Sequence, residues 1–403
     1  MPWVRILALA FSQLVAWGTL YYAFAVIIGP MGAEMGWTKP QMNGALSVGL
    51  AVSGFSAYFV GPWIDARGGR ILMTFGAVLG AVSLGLWSQV TALWQLYAVW
   101  VLIGIASAMA LYEAAFAVTA HMVPGDYRRG ITVITLLGGL ASTVFIPATH
   151  WLTDSLGWRQ ALLVLAIVEL GICTAIPLLA LPATAKDNIK PEIGAPSGGG
   201  KVFTRVRRRP VFWLLVTSFV AYAFFFTAVL FNLLPLLEGH GFTTTAAILL
   251  YSMIGPAQVA GRLFIFAADR LLPLAAAGLA GTLLPVAAMI LLMTTEPDSS
   301  LSLLFPILFG AGMGIKTLVL ATAAPEFLEE TGYGALQGVV SLPVLVAQSL
   351  SPFAAAFLWQ AGGDYRLLQS VLLGMAIVSA IAFALAAWMA GSRKSAAANL
   401  RSR

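Results

Sequence analysis

The stretch "ATAKDNIKPEIGAPSGGGKVFTRVRRRP", residues 183–210, is the longest polar segment of the chain, and everything on either side of it is apolar. Its proline, glycine and serine content marks a flexible linker. Around it, the 403 residues are 60% hydrophobic and 9% charged, with a mean hydropathy of +0.91. A water-soluble domain carries about 25% charged residues, so this chain lacks the charge to cover a surface in water. The composition predicts a polytopic membrane protein. A spanning helix needs about 20 mostly apolar residues. Such runs fall at 6–30, 42–63, 71–90, 94–121, 130–152 and 159–182 before the linker. After it they fall at 211–237, 243–267, 273–294, 300–323, 335–359 and 366–391. The fold class is therefore an all-α protein of twelve transmembrane helices, six on each side of the linker. Shorter segments of alternating hydrophobicity, which a β-barrel needs, are not seen. The first run is too long for a signal-peptide core and reads as a retained helix.

Charge placement gives the orientation. Seventeen of the 22 basic residues lie on one side of this map, counting both termini, and three lie on the other: Lys39, Arg159 and Arg366. The remaining two, Arg262 and Lys316, lie inside spans. That asymmetry predicts cytoplasmic termini. The run "RVRRRP" is an orientation signal touching anionic lipid, so no nucleic-acid partner is expected despite the net charge of +6. The single cysteine, Cys173, excludes a disulfide framework and a cysteine metal site. No ATP-binding, H-E-x-x-H or G-x-S-x-G motif is present. In "FGAGMGIK", 309–316, Ile315 separates Gly314 from Lys316, so the phosphate-loop pattern fails and the glycines instead permit close helix approach. An enzyme, a metal or an organic cofactor is not expected. Prolines 147, 177, 256, 306, 343 and 352 lie within spans and mark expected kinks.

Between the second and third runs stands "GPWIDARGGRILM", 61–73, with Gly61, Asp65, Gly69 and Arg70; Arg67 is shifted by one place and Ala66 stands where an arginine is common. This resembles the signature loop of the major facilitator superfamily. A weaker echo, "GRLFIFAADRLLP" with Asp269 and Arg270, occupies the same link in the second half. "YAFAVIIGPMGAEMGWTKPQ" (22–41), "YEAAFAV" (112–118), "GWRQAL" (157–162) and "YGALQGVVSLP" (333–343) are similar to the bacterial monocarboxylate and oxalate/formate branch. The resemblance implies two pseudo-symmetric six-helix bundles, 1–182 and 211–391, with the linker at 183–210 and a basic cytoplasmic tail at 392–403. It implies a monomeric secondary transporter of the bacterial inner membrane that works by alternating access, coupled to protons or to exchange. Asp65, Arg67, Arg70, Asp269 and Arg270 would be its gating residues.

Transporters of that branch carry D-x-x-x-R in the eighth span. The matching positions here are Gln258 and Arg262, so the arginine is present and the acid is an amide that cannot titrate. A mid-span arginine costs about 2.5–3.5 kcal/mol on insertion scales and needs a water-filled cavity or a partner. Counting from the outer ends of the runs, Glu113 and Arg262 each lie about 19 residues in and Lys316 about 16, at similar depth for a rise of about 1.5 Å per residue. Two cations against one carboxylate favour an anionic ligand. Arg262, Lys316, Gln258, Tyr112, Tyr22 and Asn232 are the expected substrate-binding residues, with Glu113 as proton carrier. A structural ion pair of Arg262 with Glu113 is the alternative for the arginine. Glu169, the other carboxylate inside a span, reads as hydrogen-bonded between helices and is the alternative to Glu113 for proton coupling. The "AFFFTAVLF" stretch, 223–231, reads as lipid-facing or gate-lining. The expected cargo is a small organic anion, in first place a monocarboxylate. The alternative is export of a drug-like compound or of an inorganic or organoarsenical oxyanion.

Overall fold

The computed structural model describes residues 2–123, 126–182, 199–268, 272–297, 299–328, 333–362 and 365–401. Twelve helices are long and apolar enough to cross a membrane. In chain order they are Pro2–Met35 (span 1), Lys39–Ile64 (span 2), Gly69–Trp87 (span 3), Leu93–Met122 (span 4), Arg129–Leu156 (span 5) and Trp158–Ala180 (span 6). Then come Pro210–Gly239 (span 7), Thr244–Ile265 (span 8), Leu274–Thr294 (span 9), Ser300–Thr317 (span 10), Val339–Gly362 (span 11) and Tyr365–Ser392 (span 12). Each lies on a predicted apolar run, and no strand occurs among the described residues. Most of the linker lies outside the described residues.

Spans 1 and 7 are the most enclosed, with 72% of the central window of each buried, against 28% for span 2. This corrects the reading of 223–231 as lipid-facing: Phe225 and Phe231 have no more than 1% of their surface exposed. Elsewhere large apolar side chains point outward, among them Phe55, Tyr58, Trp94, Trp151 and Trp388. Such a surface would drive association in water, and hydrocarbon is the solvent that tolerates it.

Four spans are interrupted within their length, and span 10 opens with a 3₁₀ turn at Ser300–Leu303. Span 1 runs as α-helix over Pro2–Trp17, opens into a π turn at Gly18–Tyr22 and resumes at Ala23–Met35. Span 6 does the same, with a π turn at Glu169–Cys173. Span 4 breaks at Leu111, whose backbone is extended (φ −87°, ψ −159°). Span 5 is divided between Tyr127–Gly138 and Ala141–Leu156. Helix continues through the prolines expected to mark kinks, so the interruptions lie elsewhere. In a bilayer each freed backbone group needs an internal partner. At the break in span 4, Gln13 of span 1 supplies one, its Nε2 donating to the Ala110 carbonyl at 2.7 Å.

The chain forms two compact units. The first comprises Met1–Lys190, Leu230–Pro256 and Pro352–Asp364. Phe24, Trp87, Trp100 and Phe231 form its aromatic core, with ring centres 5.0 Å apart for Phe24 and Trp100 and 5.3 Å apart for Trp87 and Trp100. Glu34 clamps the ends of spans 1, 3 and 6. It accepts from Trp158 Nε1 at 2.6 Å and Arg159 Nε at 3.1 Å, while Arg159 Nη1 donates to the Ser88 carbonyl at 2.7 Å. Parts of spans 7, 8 and 11 are sewn into the same unit. Lys39 Nζ sits 3.7 Å over the Trp359 ring, the Phe353 amide donates to Ser47 Oγ at 3.2 Å, and Thr143 Oγ1 donates to the Ser252 carbonyl at 2.9 Å. The second unit comprises Pro191–Val229, Ala257–Ser351 and Tyr365–Arg403. Phe212, Phe219, Phe327 and Phe383 lie in its core.

Spans 2 and 4 touch backbone to backbone. A Cβ on Gly104 would stand 2.3 Å from the Gly49 carbonyl oxygen. Gly104→Ala therefore forces the two helices apart, at about 1–3 kcal/mol. The expected result is a lowered thermal midpoint of the purified protein in detergent, read by a thiol-independent unfolding assay.

Candidate functional site

In the second unit the site is built on one face of span 8. Gln258 and Arg262 are one turn apart, which puts both side chains on the same face. They are 3% and 5% exposed. Arg262 lies close enough to Tyr222 of span 7 to interact with its hydroxyl electrostatically. The Tyr222 ring stacks on Phe226, centres 6.0 Å apart, and Phe226 stacks in turn on Phe309 of span 10 at 6.0 Å. A row of aromatic faces thus holds Tyr222 in one orientation beside the guanidinium.

Lys316 of span 10 has no solvent exposure, which excludes the snorkelling that its long stem would allow. Its ammonium lies 4.8 Å from the ring centre of Phe383, 4.9 Å from that of Phe219 and 5.3 Å from that of Tyr222. Nζ donates to Ser218 Oγ at 3.3 Å, and Ser218 donates to the Ser379 carbonyl at 2.9 Å. Each ring face is worth about 0.5–2 kcal/mol to such a cation. The expected anion ligand thus stands in an aromatic box that shares Tyr222 with Arg262.

Small residues allow this geometry. A Cβ on Gly261 would lie 2.5 Å from the Ala311 carbonyl oxygen, and one on Gly314 would lie 2.1 Å from the carbonyl oxygen of Gln258. The close approach expected of "FGAGMGIK" is therefore made against span 8, level with the Gln258–Arg262 turn.

In the first unit the expected residues gather around the interrupted helices. Tyr112 and Glu113 open the second half of span 4, directly after the break at Leu111. The Tyr112 ring lies 4.8 Å from Trp17 and stacks on Phe116 at 5.1 Å. Trp17 lies 4.8 Å from Tyr21, and Tyr21 lies 4.7 Å from Phe231. Tyr22 faces Tyr251 at 6.5 Å, and Tyr251 Oη donates to the Leu230 carbonyl at 2.7 Å. Asn232 is buried on span 7, one residue beyond Phe231. Glu113 is exposed, whereas Glu169 is wholly buried, with Oε2 2.7 Å from Thr19 Oγ1. That contact joins spans 1 and 6, as the reading of Glu169 as hydrogen-bonded between helices expected.

Trp17 was not singled out in the sequence. Its Nε1 is a buried donor with no hydrogen-bond partner among the described residues. The signal was there in "WGTLYY", 17–22, since Trp17 and Tyr21 are one turn apart. Of the expected gating residues, Arg67 lies 4.4 Å over the Trp63 ring and Arg70 opens span 3. The Asp65 side chain and both Asp269 and Arg270 lie outside the described residues. Among the described residues, no group of three or more His, Cys, Asp or Glu side chains could hold a metal ion.

Comparison with known proteins gives the geometry a context. The family model of the Major Facilitator Superfamily matches residues 9–342. Monocarboxylate transporter 13 of Bos taurus is 25% identical over 369 residues, which cover 86% of this chain and 79% of that protein. Among solved structures, the nucleoside transporter NupG superposes with a TM-score of 0.76 at 15% identity, covering 97% of this chain and 100% of that one. A bacterial homolog of the human lysosomal transporter Spinster, solved inward-facing and unoccupied, superposes with a TM-score of 0.69 at 15% identity, covering 96% and 97%.

Gly314→Ala places a methyl group on the Gln258 carbonyl, so span 8 must turn or withdraw. The expected outcome is a chain that still inserts but loses ligand binding, about 1–3 kcal/mol weaker. Binding at the original strength would show that the Gln258–Arg262 face does not depend on this contact.

Proposed function

Because this chain belongs to the Major Facilitator Superfamily, a family of membrane transporters, we propose that it carries a small organic anion, in first place a monocarboxylate. It works by alternating access, coupled to protons or to exchange. The observation that carries the proposal is Arg262: a permanently charged guanidinium, 5% exposed, inside an apolar span. Such a residue is expensive in hydrocarbon unless it does something there. A planar fork of N–H donors matches a carboxylate in two parallel hydrogen bonds. Gln258 presents an amide on the same face, able to donate to a second oxygen or a hydroxyl of the cargo. Tyr222 adds a hydroxyl beside the fork. Lys316, closed in its aromatic box, contributes positive potential through Tyr222 rather than direct contact.

Gln258 cannot carry a proton, so coupling falls to carboxyls of the other unit. Glu113, at the start of a half-helix, exchanges protons with water. The likeness to monocarboxylate transporter 13 favours the same cargo class. In this reading the halves 1–182 and 211–391 rock about the 183–210 linker, and Asp65, Arg67, Arg70, Asp269 and Arg270 gate them. The protein sits as a monomer in a bacterial inner membrane with both termini and the basic tail 392–403 cytoplasmic, as the basic residues direct.

The test is uptake into proteoliposomes of labelled lactate, pyruvate, formate, oxalate and arsenate, with and without a pH gradient. Arg262→Lys keeps the charge and loses the fork. Loss of one charge-assisted hydrogen bond is about 1.5–3 kcal/mol, hence about 10- to 150-fold weaker uptake of the carboxylate that the unaltered protein transports. Unchanged uptake would remove Arg262 from the site, and transport of arsenate alone would move the cargo to inorganic oxyanions. Glu113→Gln is expected to abolish accumulation driven by a pH gradient and to leave exchange of preloaded substrate running. Normal accumulation in that variant would move proton coupling off Glu113.

A further inference from the structure

Glu169 is the carboxyl that this function leaves unused. It lies in the π turn of span 6, and Thr19 lies in the π turn of span 1, which are the two π turns among the described residues. Turns of this kind are rare and gather at functional places, because one inserted residue lets the helix change register. The 2.7 Å contact between Glu169 Oε2 and Thr19 Oγ1 is the side-chain tie between them. Glu169 has no solvent exposure, and its Oε1 has no hydrogen-bond partner. The salt bridges found among the described residues, Arg129–Asp126 and Arg159–Glu34, do not involve it.

The direction of the hydrogen bond follows from counting hydrogens. A threonine hydroxyl has one. In a helix it normally goes to the carbonyl one turn earlier, and Thr19 Oγ1 lies 3.1 Å from the Val15 carbonyl oxygen and 3.4 Å from that of Ala16. The contact to Oε2 at 2.7 Å is the shortest of the three, so Thr19 gives its one hydrogen to the carboxyl. An ionised carboxylate here would be a buried charge with no cation and one bare oxygen, at a cost of several kcal/mol. A carboxylic acid avoids the buried charge. The groups facing it are few. Span 6 contributes the Cys173 thiol, which contacts both the Glu169 carboxyl and the Ser12 carbonyl, the latter at 3.4 Å. Span 1 contributes Thr19 and that carbonyl, and span 3 contributes Gly80, where an added Cβ would stand 3.6 Å from Oε1. The charged residues of these spans, Arg5, Glu34, Arg70 and Arg159, stand near the helix ends.

We propose that Glu169 is a proton-binding site, separate from Glu113 and from the anion site, in which a protonated carboxyl accepts from Thr19 and ties the interrupted turns of spans 1 and 6. Rearrangement of either π turn breaks the tie, brings Oε2 to water and releases the proton as Glu169 ionises. Rebinding the proton restores the tie. This deepens the transport reading, and only its transport readout rests on that reading.

The experiment uses the full chain in lipid. Infrared spectroscopy of the unaltered protein is expected to show a protonated-carboxyl band that disappears in Glu169→Gln and moves to higher frequency in Thr19→Val, where the hydrogen-bond donor is lost. Glutamine keeps the acid's shape and a donor N–H. Vesicles with Glu169→Gln should therefore exchange preloaded labelled lactate and lose its accumulation under a pH gradient. A band unchanged in both variants, or accumulation at the unaltered level in Glu169→Gln, overturns the proposal. Should Glu169→Gln fail to fold, an unshifted band in Thr19→Val overturns it alone. Should the unaltered protein transport no carboxylate, the anion reading fails while the band still decides Glu169.

Discussion

Hydrocarbon offers a charge nothing to bind, and the polar interior of this protein answers to that constraint. Each charge held within a span meets it differently. Arg262 is kept on one face with an amide and beside a phenol, an arrangement with room in its chemistry for a visiting anion. Lys316 is wrapped in three aromatic rings and one serine, with no surface left for a ligand. Glu169 shares one hydrogen with Thr19 and is cheapest as a neutral acid. Glu113 is left at the surface of its unit, at the opening of a half-helix. The same physical cost, a few kcal/mol per charge, yields an anchor, a supporting field, a sealed acid and an exposed acid.

The backbone obeys the same rule. Freed amides and carbonyls are tolerated in a bilayer only against internal partners, and the interruptions in spans 1, 4, 5 and 6 all fall within the first unit. Spans 7, 8 and 12 remain α-helical over their lengths. The first unit therefore holds the deformable helices and the carboxyls. The second holds the cations on regular ones.

The twelve spans were legible because hydropathy over some twenty residues reports the solvent directly. Arg262 was legible for the same reason, as a charge where none belongs. Other features were not. Lys316 was identifiable as a charge within a span, but its box is assembled from Phe219, Tyr222 and Phe383, which are far apart in sequence. The burial of 223–231 could not be read from hydrophobicity, which is alike for residues facing lipid and residues facing protein. The π turns at Gly18–Tyr22 and Glu169–Cys173 follow from a tertiary contact, Thr19 to Glu169, that no local propensity encodes, whereas the prolines that do carry a local signal sit in unbroken helix. Trp17 was passed over because a tryptophan in an apolar run is ordinarily packing, and its idle Nε1 is visible only in three dimensions.

The central claim is that a buried guanidinium selects cargo by its negative charge. The most direct measurement is equilibrium binding of labelled lactate to the purified protein in competition with lactamide, which has nearly the same shape and no charge. The account predicts that unlabelled lactate displaces the label and lactamide does not. Equal displacement by the two would contradict it.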